Sequence, residues 1–272
     1  MLWQKSWWET RWRLLTILGL ILLNIVVSHS WTLLTLTDWA AAVQRWWPQP
    51  QQGESGWGEK RQFLTLLSSW PGYVWWLSYP LLMAWPICAA IITTALIKSS
   101  YPLAGASGAA ALYTVSLPVS RRRTLLTLAA VLASEMILLA LVPSLMYAIT
   151  IRLAGRWVPV GSTVIYALLL ALGGMVFAAF AFLMMVILNN QWKVIAIGIF
   201  AVYTFLTLPV VLSLQDELNP FDEFPRWHIY YVMSGEAYFR YGRIPWVGLF
   251  ASLAVSALMM FVAVRIYERR DF

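Results

Sequence analysis

Residues 121–149 read RRRTLLTLAAVLASEMILLALVPSLMYAI. Three arginines stand directly before an apolar run, 124–149, in which Glu135 is the one charged side chain. A helix crosses the hydrocarbon core of a bilayer with about 20 apolar residues, so this run is long enough to span. The whole chain agrees with that reading. Of its 272 residues 61% are hydrophobic and 11% charged, with a mean hydropathy of +0.69. Soluble domains carry about 25% charged residues, which excludes the soluble globular classes. Ten-residue alternating segments, the mark of a transmembrane barrel, are absent. The fold class expected is an all-α integral membrane protein.

Six spans are predicted, at roughly 14–36, 71–97, 124–149, 163–188, 194–214 and 245–266, within a single transmembrane domain of residues 1–272. Pro80 and Pro86 should kink or divide the second. Residues 1–13, MLWQKSWWETRWR, place Lys5, Glu9 and Arg13 on one helical stripe, with Trp3, Trp7, Trp8 and Trp12 over much of the rest and Arg11 interrupting them. Two readings stay open there: a helix lying among the headgroups, or an aromatic belt with basic anchors before the first span. Glu9 and four tryptophans argue against a signal peptide, and no A-x-A-like site follows. Two longer polar connections remain, 37–70 and 215–243. The latter contains DELNPFDEFPRW, acidic, aromatic and punctuated by prolines.

The net charge of +7 decides orientation. With both termini cytoplasmic, eleven basic residues fall on short inner segments: Lys5, Arg11, Arg13, Lys98, Arg121, Arg122, Arg123, Lys193, Arg265, Arg269 and Arg270. The other eight spread over longer outer loops, and Arg152 and Arg156 mildly oppose the bias. This distribution fits the positive-inside rule. Residues 101–120, YPLAGASGAAALYTVSLPVS, are uncharged and long enough to cross, but crossing would put Lys98 and the arginine triplet on opposite sides. They are therefore expected as a cytoplasmic connector, 99–120, partly helical across 109–115, broken at Pro118 and followed by Ser120 as a helix cap. Three arginines at a helix N-terminus oppose the macrodipole by a few tenths of a kcal/mol each. Anionic headgroups offset this at about 1 kcal/mol per arginine, so an inner-leaflet anchor explains the triplet.

The string TVSLPVSRRRTLL, residues 114–126, resembles the signature of ABC-2-type permeases, the membrane subunits of many ATP-binding cassette exporters. The layout is similar as well: a basic-aromatic N-terminal helix, six spans and the basic end RIYERRDF. In that family the connector between the second and third spans is a coupling helix seated in a cleft of a separate ATPase. The resemblance implies that role for 99–120, with Tyr101, Leu103, Leu112, Tyr113, Val115 and Leu117 as coupling residues. It implies two ATPase copies carrying ATP and magnesium, and a second permease subunit, identical or related. It also implies a bacterial-type inner membrane and outward transport. Relatives often carry an acidic residue shortly before the glycine of this stretch; SSYPLAGASG has none.

Other chemistry is sparse. No G-x-x-x-x-G-K-[ST] occurs, so this chain has no P-loop for nucleotide phosphates, and it is expected to be no enzyme and to bind no cofactor. GASG at 105–108 formally resembles the serine motif of intramembrane proteases. Ser107 would then need a histidine within hydrogen-bond reach, and the two histidines, His29 and His228, lie far from it in sequence. Those histidines and Cys88, the single cysteine, show no metal-ligand spacing. Asp216, Glu217, Asp222 and Glu223 either attract cations or form a solvated loop. Glu135 is expected to face the bundle interior, a cavity or a partner helix. It either handles a substrate or proton in the translocation path or is a protonated carboxyl hydrogen-bonded to neighbouring helices; a secondary transporter, the alternative transport mechanism, would want several such charges and an internal repeat. Trp85, with Trp75 and Trp76, is read as belt or packing, or as lining for a translocation path. Ala167, Ala171, Gly174 and Ala178 fall on one face of the fourth span, a seam for close helix approach. No nucleic acid partner is expected, because the basic residues serve as membrane anchors.

Overall fold

Long apolar runs without water to hydrogen-bond their backbone must close those bonds internally, which a helix does. The computed structural model describes residues 14–23, 84–96, 121–153, 159–188, 190–213 and 229–269, with isolated positions at 7, 8, 11, 12, 27, 61 and 65. Among the described residues every regular element is helical. They are α1 (Leu14–Leu23), α2 (Ala84–Leu96), α3 (Arg121–Leu153), α4 (Val160–Leu188), α5 (Gln191–Ser213), α6 (Ile229–Met233), α7 (Glu236–Tyr241) and α8 (Trp246–Glu268). Three of these, α3, α4 and α8, are long and apolar enough to cross a membrane.

Helix α4 is the centre. It packs against α3, α5, α6 and α8. Of its most apolar window 61% is buried, against 44% for α3 and 22% for α8. The outer face of α8 instead exposes Val247, Phe250, Leu258 and Phe261. Large contiguous apolar surface of this kind is rare on soluble monomers, and it suits lipid. Hydroxyls in these helices mostly bond back to their own turn: Ser134 to the Val131 carbonyl at 2.7 Å, Ser252 to Gly248 at 2.9 Å, Ser256 to Ser252 at 2.7 Å. That is how a polar side chain is accommodated where water is excluded. Asn190 starts α5 as a cap, its Oδ1 accepting from the backbone N–H of Trp192 (3.0 Å) and Lys193 (3.2 Å).

The seam of Ala167, Ala171, Gly174 and Ala178 is buried within this chain. Gly173 and Gly174 point at two different neighbours. A Cβ on Gly174 would overlap the Trp85 indole of α2, with its Cδ1 at 2.6 Å. A Cβ on Gly173 would meet Met233 at 3.0 Å and Val232 at 3.2 Å, from α6. Val232 also reaches α8, where its Cγ2 lies 2.5 Å from a Cβ built on Gly248. Val232 is thus a wedge between two glycines on two helices.

This wedge corrects one expectation. Residues 215–243 read as a polar connection, yet 229–241 form two short helices, with Tyr231, Val232, Met233, Ser234 and Ala237 buried. The reason is local: IYYVM is apolar, and the two glycines leave room for it. Gly235 and Gly242, at φ 67° and 64°, supply the left-handed turns that open and close α7. Tyr166 of α4 faces Phe239 with ring centroids 6.0 Å apart.

Filling the α8 glycine should therefore destabilise the fold. Gly248→Leu is expected to lower the melting temperature in detergent, an overpacking cost of about 1–3 kcal/mol. Adding Val232→Ala should recover part of it. A Gly248→Leu protein that melts with the wild type would show that Val232 does not fill this space.

Candidate functional site

The coupling residues Tyr101, Leu103, Leu112, Tyr113, Val115 and Leu117, like Pro118, Ser120, Ser107, His29, His228 and the acidic cluster, lie outside the described residues. Both mounts of the connector are described. It leaves α2 after Leu96 and enters α3 at Arg121.

On the α3 side, the arginines occupy the first turn, and Arg122 and Arg123 are exposed. Burial begins at once: Leu125 and Leu128 are fully covered. The buried stripe then runs through Val131, Leu132, Glu135, Met136, Leu139 and Ala140 at helical spacing. The helix base therefore projects its cations outward while the next turn is fixed in the core. From Arg123 to Arg152 the helix rises about 43 Å, the thickness of a bilayer with its headgroups. Arg152 lies in the last turn, so one apolar helix is bracketed by cations at both ends.

Glu135 sits about 18 Å along α3 from Arg123, close to the middle of that length. It is fully buried. Ser134 is turned to the Val131 carbonyl. Ser144, further along the same buried stripe, is about 14 Å away along the helix, too far to bond to Glu135. Ser144 Oγ is buried without a hydrogen bond, as is Thr93 Oγ1 on α2. Each such group costs about 1–3 kcal/mol. Pro143, beside Ser144, lies inside α3 and donates no helical hydrogen bond to the turn before it.

On the α2 side, Trp85 is fully buried, and its indole N–H donates to the Gly174 carbonyl at 3.1 Å. This places Trp85 in the α2–α4 contact. Gly198 of α5 meets the same helix: a Cβ there would lie 2.9 Å from Ala90 Cβ and 3.3 Å from the Pro86 carbonyl oxygen. A small apolar cleft between α2, α4 and α5, lined by Pro86, Ala90, Phe177, Ala181 and Val194, offers room for about one water molecule. Among the described residues no group of three His, Cys, Asp or Glu side chains is placed to hold a metal ion.

The structure brings together the mounts of two predicted site residues: α3, which carries Glu135, and α2, which carries Trp85, both pack on α4. Sequence reading missed the α6–α7 pair, and Gly173 and Gly248, the glycines that make room for it, were the signal that could have found it. No family model, no curated protein and no solved structure matches the chain.

A buried mid-helix acid tolerates loss of its proton equilibrium better than reversal of charge. Glu135→Gln, which keeps shape and hydrogen-bonding capacity, is expected to accumulate in membranes near the wild-type level. Glu135→Lys is expected to fail, because an unpaired buried ammonium costs several kcal/mol. A Glu135→Lys protein that accumulates and melts normally would contradict the buried placement.

Proposed function

We propose that this chain is the membrane-spanning permease subunit of an ATP-binding cassette exporter of the ABC-2 type. The observation that carries the reading is TVSLPVSRRRTLL at 114–126, which lies between two apolar segments in sequence and whose last six residues form the first turns of α3. Six apolar segments and the cationic bias of the short connections support it. On this reading the chain spans a bacterial-type inner membrane six times with both termini in the cytoplasm. It pairs with a second permease half and carries two ATPase subunits, which bind ATP and magnesium.

The connector 99–120 then seats in the ATPases. Closure of the ATPases on ATP pushes the connector, and the push reaches the membrane part through its mounts. Both mounts rest on α4, so α2 and α3 move with it as one unit. The exposed Arg122 and Arg123 hold the base of α3 at the inner leaflet. Translocation runs between two such halves, with outward transport taken over from the family resemblance. Glu135 is the observation that favours a second reading, a proton-coupled secondary transporter. Such a transporter needs a proton gradient and no ATPase.

The test is co-purification from the native host. The tagged full chain should bring down an ATP-hydrolysing subunit, and replacement of 99–117 by a Gly/Ser linker of equal length should abolish that capture while the chain still reaches the membrane. Capture retained by the linker variant, or no ATPase with the wild type, overturns the reading.

A further inference from the structure

Most hydroxyls of the long helices bond back to their own turn, as those of Ser134, Thr150, Ser252 and Ser256 do. Ser144 of α3 does not. It is 1% exposed, and its Oγ has no hydrogen-bond partner. It stands directly after Pro143, which lies inside α3 and is buried as well. Proline brings no N–H to the helical ladder, so the carbonyl of the buried Leu139 loses its donor there. An unspent hydroxyl and an undersupplied carbonyl thus lie close along one helix, in a stretch from which water is excluded.

The residues beyond the proline form an arm, 144–153, about 15 Å long. Tyr147, Ala148 and Ile151 face the core along one stripe of it, and Ile149 and Leu153 are exposed. The proline ring crowds the carbonyl four residues before it, which opens the helix on the proline's own side. Pro143 faces the core, so this opening tilts the arm away from α4, on which α3 packs. It also lets the Ser144 hydroxyl turn to the carbonyls of the preceding turn, the back-bond that bends helices. The two arrangements satisfy different groups. The closed one buries Tyr147, Ala148 and Ile151, and the tilted one gives Ser144 its hydrogen bond.

We propose that α3 is hinged at Pro143–Ser144 and that its arm swings away from α4, opening the α3–α4 contact at that end, with the Ser144 hydroxyl as the latch of the open state. The base of α3, with Glu135, stays on α4 while the arm moves. A kink of about 20° at the hinge carries Leu153 about 5 Å sideways. The hinge requires only that α3 and α4 lie in a bilayer, and it stands apart from the permease reading.

Pulsed spin-label distances on the full chain in lipid nanodiscs test it. Cys88→Ser removes the single cysteine. Labels on Leu153→Cys and Val247→Cys, both strongly exposed, then report on the arm, and labels on Leu126→Cys and Phe261→Cys, exposed as well, report on the base. The arm pair should give two distances, the second longer by about 5 Å, and the base pair one. Pro143→Ala restores the missing N–H and should leave only the shorter arm distance. Ser144→Ala should deplete the longer population about fivefold. A single arm distance in the chain with Pro143, a longer population that survives Pro143→Ala, or two distances for the base pair overturns the hinge. An unchanged population in Ser144→Ala overturns the latch.

Discussion

A tryptophan of α2 packed against a glycine of α4 fixes how closely those two helices approach. Trp85 occupies the space that any side chain at position 174 would need, and its N–H is satisfied by the Gly174 carbonyl. Between helices in lipid the hydrophobic effect gives little, and association depends on close packing and on satisfying polar atoms. This contact does both at one point. The neighbouring Gly173 admits Val232 and Met233 on another side of α4. Two adjacent glycines therefore let α2 and α6 approach a single helix, and α8 packs directly on α4 and also meets the same valine at Gly248.

The proposed function turns on what this arrangement connects. In sequence 99–120 joins α2 to α3, and both of those helices rest on α4. Under the proposed coupling role, a force on that stretch is delivered to a common support. Helix α3 is suited to such a role. Exposed cations occupy its first turn, buried leucines begin in the next, and a buried acid lies near its midpoint. The midpoint acid and the proline-serine pair at 143–144 are the polar interruptions of its buried stripe. They are where a change of hydrogen bonding has the largest effect in a medium without water.

Much of this was legible in the sequence, for physical reasons. Helix α3 announces itself through arginines at both ends of an apolar run, and α4 and α8 through uninterrupted apolar length. The placement of Glu135 in the interior followed from the cost of an exposed acid in lipid. The small-residue seam on α4 was legible because its period is that of the helix. The partner of the seam was not: Trp85 has the composition of a belt residue, and only tertiary structure shows it on Gly174. The α6–α7 hairpin was hidden for a different reason. Five and six residues are too few to show a period, and prolines and acids nearby mark the stretch as a loop. Arg11 read as an interruption among tryptophans, whereas its guanidinium joins them by stacking. The connector's own structure falls outside the described residues, so its role rests on the resemblance at 114–126.

The role of α4 as the common support is measured most directly by a double-mutant cycle at the Trp85–Gly174 contact. Gly174→Ala and Trp85→Leu should each lower the stability of the detergent-solubilised chain. Together they should cost less than their sum, with a coupling of about 1 kcal/mol or more, because the smaller side chain makes room for the new methyl group. Strictly additive effects, or a Gly174→Ala protein as stable as the wild type, would contradict it.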